Sequence, residues 1–140
     1  MDTTMILGIT VMILILIIVL FAAVYLSSKR VDTTKKTEVL KKVDDLMLAI
    51  SSLEGSIRRD AVVKLDNLLS KALQLKYNNE DTCGDNLKRA KSLFNRDDYN
   101  RLWEVHKIRN NIVHDDYEIS EKEAEEVYYV YKSNIKKILK

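Results

Sequence analysis

Val11-Met12-Ile13-Leu14-Ile15-Leu16-Ile17-Ile18-Val19-Leu20 is an unbroken apolar run without a charge or a helix breaker. It is the centre of a longer uncharged stretch, Met5 to Leu26. At a helical rise those residues reach roughly 33 Å, slightly more than the thickness of a bilayer core. The stretch therefore reads as a single transmembrane helix. A cleavable signal peptide fits less well, because no Lys or Arg precedes the run and the run exceeds a signal core in length.

The flanks of this helix are unequal. Asp2 stands before it, whereas Lys29, Arg30, Lys35, Lys36, Lys41 and Lys42 follow it. Basic residues stay on the cytoplasmic side. The expected topology is single-pass in the cell membrane, with the N-terminus outside and the remaining chain in the cytoplasm. Three segments follow: a transmembrane anchor at 1–26, a juxtamembrane linker at 27–36 with basic residues against anionic headgroups, and a helical bundle at 37–140.

Composition points the bundle to an all-α fold. Proline is absent and glycine occurs three times in 140 residues, so the main helix breakers are scarce. The part beyond the anchor suffices for one small domain. A formal charge of +2 is too small to argue for or against nucleic acid. The lone Cys83 excludes an intramolecular disulfide, fits a reducing compartment and reads as a small loop residue. With one cysteine and two histidines, no metal centre or cofactor is expected.

Apolar spacing places the helices. Val39, Leu40, Val43, Leu46, Met47, Ile50 and Leu53 recur at intervals of three and four, predicting one helix over 38–53. Gly55 breaks this pattern and Ser56 is the expected cap of a second helix, with stripe Ile57, Ala61, Leu65, Leu68, Leu69, Ala72 and Leu73, ending near Tyr77. Asn78 to Gly84 is a turn, and a short helix follows over about 85–94. A further helix runs from about Asp98 to Val113. Ser120 and Glu123 form a capping box for the last, whose stripe is Ala124, Val127, Tyr128, Tyr131, Ile135, Ile138 and Leu139. Four long helices and one short one, joined by short loops, predict an up-and-down bundle.

The helix over 98–113 carries Arg109-Asn110-Asn111-Ile112-Val113-His114. A guanidinium can grip a phosphate and an imidazole can move a proton near neutral pH. Arg109 shares the spacing of Leu102, Val105, Ile112 and Val113, so it faces the packed side of the helix. Two readings stand there: an ion pair with Asp66 or Asp60 on the second helix, or a phosphate-binding cleft. His114 is five residues on, about 140° around a regular helix, and converges with Arg109 within one chain only where the helix ends or loosens. A histidine at that end also serves as a favourable dipole partner. His106 lies two turns before His114 without a third ligand at helical spacing, which argues against a metal pair. Tyr128 and Tyr131 read as core, and Trp103 as an interior or dimer contact.

Arg109, Asn110 and His114 form an Arg-Asn-x-x-x-His run that resembles the signature of the HEPN superfamily. Segments 58–69, Leu87 to Lys91 and Trp103 to Asn110 resemble the order seen in small bacterial members, covering about residues 56–139. The resemblance implies a helical bundle that forms a homodimer with two motifs at one cleft. It also implies a metal-independent endoribonuclease leaving cyclic phosphate and 5′-hydroxyl ends. His114 would move protons, Arg109 would stabilise charge on the phosphate, and Asn110 would orient the phosphate or the histidine. Toxin-type members carry a tyrosine two residues beyond the motif histidine, where this chain has Asp116. Other HEPN-like domains are non-catalytic binding or assembly modules, so the alternative expectation is a membrane-tethered dimerisation or partner-binding module. Expected partners are RNA, a second copy and the membrane through residues 5–26; an inhibitor or antitoxin is left open.

Overall fold

The computed structural model describes residues 2–140, and among them the fold is all-α. The helices are α1 (Thr3–Asp45), α2 (Met47–Ile50), α3 (Gly55–Tyr77), α4 (Cys83–Arg89), α5 (Arg96–His114) and α6 (Glu121–Ile138), with a 3-10 turn (Ala90–Leu93) after α4. The chain divides into two compact units at Lys35 and Lys36.

The N-terminal unit extends to Lys35 and contains the apolar part of α1. This is the one helix, among the described residues, long and apolar enough to cross a membrane, and none of its apolar window is buried by protein. Residues 27–36, expected as a linker, are helical, and Thr34 Oγ1 donates to the Arg30 carbonyl within this stretch. Nothing in the composition there breaks a helix, so hydrogen bonding simply propagates.

In the second unit the expected helix over 38–53 is divided. α1 ends at Asp45 and α2 forms one turn, with the Leu46 N–H bonding to the Val43 carbonyl at 3.2 Å. The break brings Ile50 into full burial and leaves Leu53 89% exposed, so Leu53 is not a core residue. No Gly or Pro marks the break. Ser56 is not the cap of α3 either, because the helix already includes Gly55 and its N-cap is Glu54 without a side-chain bond. Ile57 is exposed, whereas Val62, outside the expected stripe, is completely buried.

α3 is the central element, packed against α2, α4, α5 and α6. Leu65, Leu69, Ala72 and Leu73 of α3 join Val127, Tyr128, Tyr131 and Ile135 of α6 in one buried cluster. All seven stripe positions expected for α6 are buried. Ser120 caps α6 by accepting the Glu123 N–H, while the Glu123 carboxylate accepts from the Tyr117 hydroxyl at 2.8 Å, so the reciprocal half of the box is replaced by a tie to the preceding loop. α3 ends on Asn78 in the left-handed region at φ 48°, which Asn tolerates better than most residues. Behind that turn the Asn79 and Asn86 side-chain amides bond reciprocally at 2.9 and 2.8 Å, which satisfies the fully buried Asn86.

One arginine joins two loops of the bundle. Arg58 donates from Nε and Nη2 to the Ile119 carbonyl at 3.1 and 3.0 Å, and from Nη1 to the Ser52 carbonyl at 2.7 Å. Its neighbour Arg59 pairs with Glu118 at 2.9 Å and lies 3.7 Å from Asp116. A Cβ at Gly55 would lie 2.9 Å from Glu118 Oε2, the end of an exposed side chain that can move aside. The segment following the α5 motif is thereby tied to the start of α3.

Candidate functional site

α5 starts where the Asn95 side chain accepts the Asp98 N–H at 2.7 Å, with Asp97 and Asp98 in the first turn favoured by the helix dipole. It remains α-helical through His114, and the Asp115 N–H closes on the Asn111 carbonyl at 2.8 Å. The helix therefore does not loosen at His114. Arg109 and His114 stay about 140° apart around the axis, and the convergence that required a loosened end does not occur within the chain. Val113, expected on the packed face, is 48% exposed.

Arg109 is instead joined to the core. Its Nε lies 3.4 Å from Asp66 Oδ2 on α3, and Nη1 donates to Asn110 Oδ1 at 2.9 Å. Nε is buried and makes no directed hydrogen bond, so its attraction to Asp66 is Coulombic. Of the two carboxylates considered as partners, Asp66 is the one engaged, whereas Asp60 pairs with Lys64 on the surface. About a quarter of the Arg109 side chain (26%) remains exposed, beside half-buried Asn110.

Asp66 is the hub of a larger network. Its side chain is 4% exposed, and Oδ1 accepts from His106 Nδ1 at 2.7 Å and from the Tyr131 hydroxyl at 3.0 Å. A carboxylate offers acceptors only, which places the proton on Nδ1 of His106. The Trp103 ring stands edge-on to the His106 ring, with centroids 5.7 Å apart. Burial, and then the Asp66 charge, push the Tyr131 phenol well above its ordinary range, so it is a permanent donor.

Cys83 was expected as a loop residue but is the first residue of α4 and half-buried beside this network. Burial first, and Asp66 second, push its thiol up to about 12. It is therefore a neutral thiol at physiological pH and a poor nucleophile. Asp66, Cys83 and His106 offer O, S and N atoms within 4.8 Å of one another, a donor set that zinc can use in principle. The fit is poor. A dication would lie beside the Arg109 guanidinium and require a thiol held strongly in its protonated form to ionise, whereas one carboxylate and one guanidinium already balance.

Of the expected site residues, Arg109 and Asn110 come together and His114 stands exposed one turn beyond Asn110. Sequence reasoning missed the pairing of His106 with Asp66. The signal was present: His106 precedes Arg109 by three residues, so both lie on the α5 face that meets Asp66. His106 and Asn110 also line one shallow surface hollow with Trp103, Glu104 and Lys107.

The fold and this network define an all-α bundle following an apolar helix, with a polar cluster where α3, α4, α5 and α6 converge. Compared with family models, curated proteins and solved structures, the chain matches none.

Proposed function

We propose that the chain is a membrane-anchored, metal-independent endoribonuclease of HEPN type, in which Arg109, Asn110 and His114 of two copies share one cleft. The observation that carries this reading is the way Arg109 is held. Its Nε side is anchored toward buried Asp66 and its Nη1 toward Asn110, while part of the side chain stays exposed on the helix that ends in solvent-facing His114. A guanidinium positioned from behind loses little freedom on meeting a phosphate. The 140° between Arg109 and His114 is the reason two copies are invoked, since a two-fold axis sets the Arg109 of one chain near the His114 of its partner. Arg109 then stabilises the phosphate charge, Asn110 orients it and His114 moves a proton.

The test uses the full chain in detergent micelles with labelled single-stranded RNA and a chelator. Wild type is expected to cut the RNA, leaving cyclic phosphate ends. His114→Ala is expected to be on the order of 100-fold slower or worse. An inert wild type, or a His114→Ala variant as fast as wild type, overturns the reading.

A second reading is favoured by the same ion pair. Asp66 neutralises Arg109, as in a purely structural contact, which suits a non-catalytic module that dimerises or recruits a partner at the membrane. An inert but folded wild type selects it.

Both readings place α1 across the cell membrane with the N-terminus outside, on the strength of the basic residues that follow the apolar run. Protease added to intact cells is expected to leave the bundle uncut and to digest it after lysis; digestion before lysis reverses the orientation.

A further inference from the structure

We propose that His106 is a second proton-transfer group of this site, the general base, with Asp66 orienting its ring from within the core. The inference rests on the nuclease reading above and adds a residue and a division of labour to it.

Cleavage that leaves a cyclic phosphate needs two proton movements. The ribose 2′-hydroxyl must lose its proton as the O2′–P bond forms, and the departing 5′ oxygen must gain one as the P–O5′ bond breaks. At the phosphate held by one chain's Arg109, the partner's His114 supplies one imidazole, and His106 of the same chain is placed to supply the other. His106 has the features of a base. Its Nδ1 proton is committed to Asp66 at 2.7 Å, which leaves Nε2 with the lone pair. A buried carboxylate behind an imidazole fixes its tautomer and stabilises the imidazolium that forms on protonation. Among the described residues Nε2 has no hydrogen-bond partner, the side chain is 14% exposed, and the ring lines the same hollow as Asn110.

The helix spacing supplies the order of parts. His106, Asn110 and His114 follow one another at intervals of four within regular α5. They occupy a sector of about 80° and are separated by about 6 Å along the axis at each step. A phosphate held by Arg109 and Asn110 of one chain has the His106 imidazole of that chain a turn before Asn110, and meets the partner's His114 across the two-fold axis. In-line displacement needs its base and acid on opposite sides of phosphorus in this way. His106 Nε2 takes the 2′-hydroxyl proton, O2′ bonds to phosphorus, the bond to O5′ breaks, and the imidazolium of the partner's His114 protonates O5′. Solvent exchange then restores both rings.

The experiment compares wild type, His106→Asn and His114→Ala, each as full chain in micelles, for RNA cleavage across pH. In His106→Asn the side-chain amide can still donate to Asp66 but has no group that accepts a proton. It is expected to melt like wild type, to be at least 100-fold slower, and to lose the rising acidic limb of the kcat/KM profile. A substrate with sulfur in place of the bridging 5′ oxygen needs no acid, and is expected to restore His114→Ala but not His106→Asn. A His106→Asn variant with wild-type rate, or a slow one that keeps both limbs, overturns the proposal while leaving the nuclease reading intact if His114→Ala is inactive. A wild type that cuts no RNA ends both. If His106→Asn melts below wild type, diethyl pyrocarbonate on the wild-type protein decides. Loss of activity in step with modification of His106, and protection by RNA, support the assignment; an unmodified His106, or activity surviving its modification, overturns it.

Discussion

Asp66→Ala is expected to lower the unfolding free energy by about 3–5 kcal/mol, the range for removing one partner of a buried charged pair. The carboxylate is 4% exposed and serves three groups from two other helices: His106 Nδ1, the Tyr131 hydroxyl and the Arg109 guanidinium. Alanine leaves two buried donors without an acceptor and a cation beside the core without its counter-charge. Partial exposure of Arg109 moderates the last of these, because that side chain can turn toward water. Urea unfolding followed by the fluorescence of Trp103, the only tryptophan, reports on the bundle alone. In a Tyr131→Phe background the Asp66→Ala cost should shrink by about 1 kcal/mol, since one of the stranded donors is already gone. A cost below about 1 kcal/mol in the wild-type background would show that the network is not a determinant of stability.

Arg58→Ala is the second large effect, a loss of about 2–3 kcal/mol, in line with charge-assisted hydrogen bonds onto carbonyls. The three contacts are not additive and the side chain is only partly buried, which keeps the figure below their sum. The reason for expecting any large effect is geometric. One planar fork reaches the Ile119 and Ser52 carbonyls together, so it ties the loop after α5 to the loop before α3. Arg58→Lys places a single ammonium where two carbonyls need donors, and should recover less than half of the loss. The same urea unfolding checks the stability, and limited proteolysis should cut residues 115–119 faster in both variants. An Arg58→Lys protein as stable as wild type would mean that charge, rather than the fork, is what matters.

The two parts of the chain were unequally legible. In α6 the spacing of apolar residues and the Ser120 cap correspond directly to what is buried and where the helix starts, because that helix lies in the core along its whole length. At 38–53 the same spacing rule fails. Leu46, Ile50 and Leu53 continue the pattern, but the helix is interrupted at Leu46 and ends at Ile50, which is buried, and Leu53 lies exposed in the loop beyond it. Periodicity records which residues can be buried; it contains no term for a helix that bends without a breaker residue.

The candidate site divides in a similar way. Arg109 and Asp66 were an open pair from spacing, and the structure brings them to 3.4 Å. His106 and Cys83 had no partner in one dimension. They meet Asp66 only because α3, α4 and α5 converge on that one carboxylate.

The sequence by itself determined the all-α class, the apolar helix long enough for a bilayer, the face of α6 and most of that of α3, and the α5 position of the Arg109, Asn110 and His114 run. These are properties of short-range periodicity and composition, which the local chain carries within a few helical turns. Only the tertiary structure decided that Asp66 is the buried hub, that the Arg109 guanidinium lies against it, and that His106 Nδ1 bonds to it. Those outcomes depend on residues 17 to 65 positions away from Asp66 along the chain, and the energy of a buried charge is set by whichever partners meet it in space.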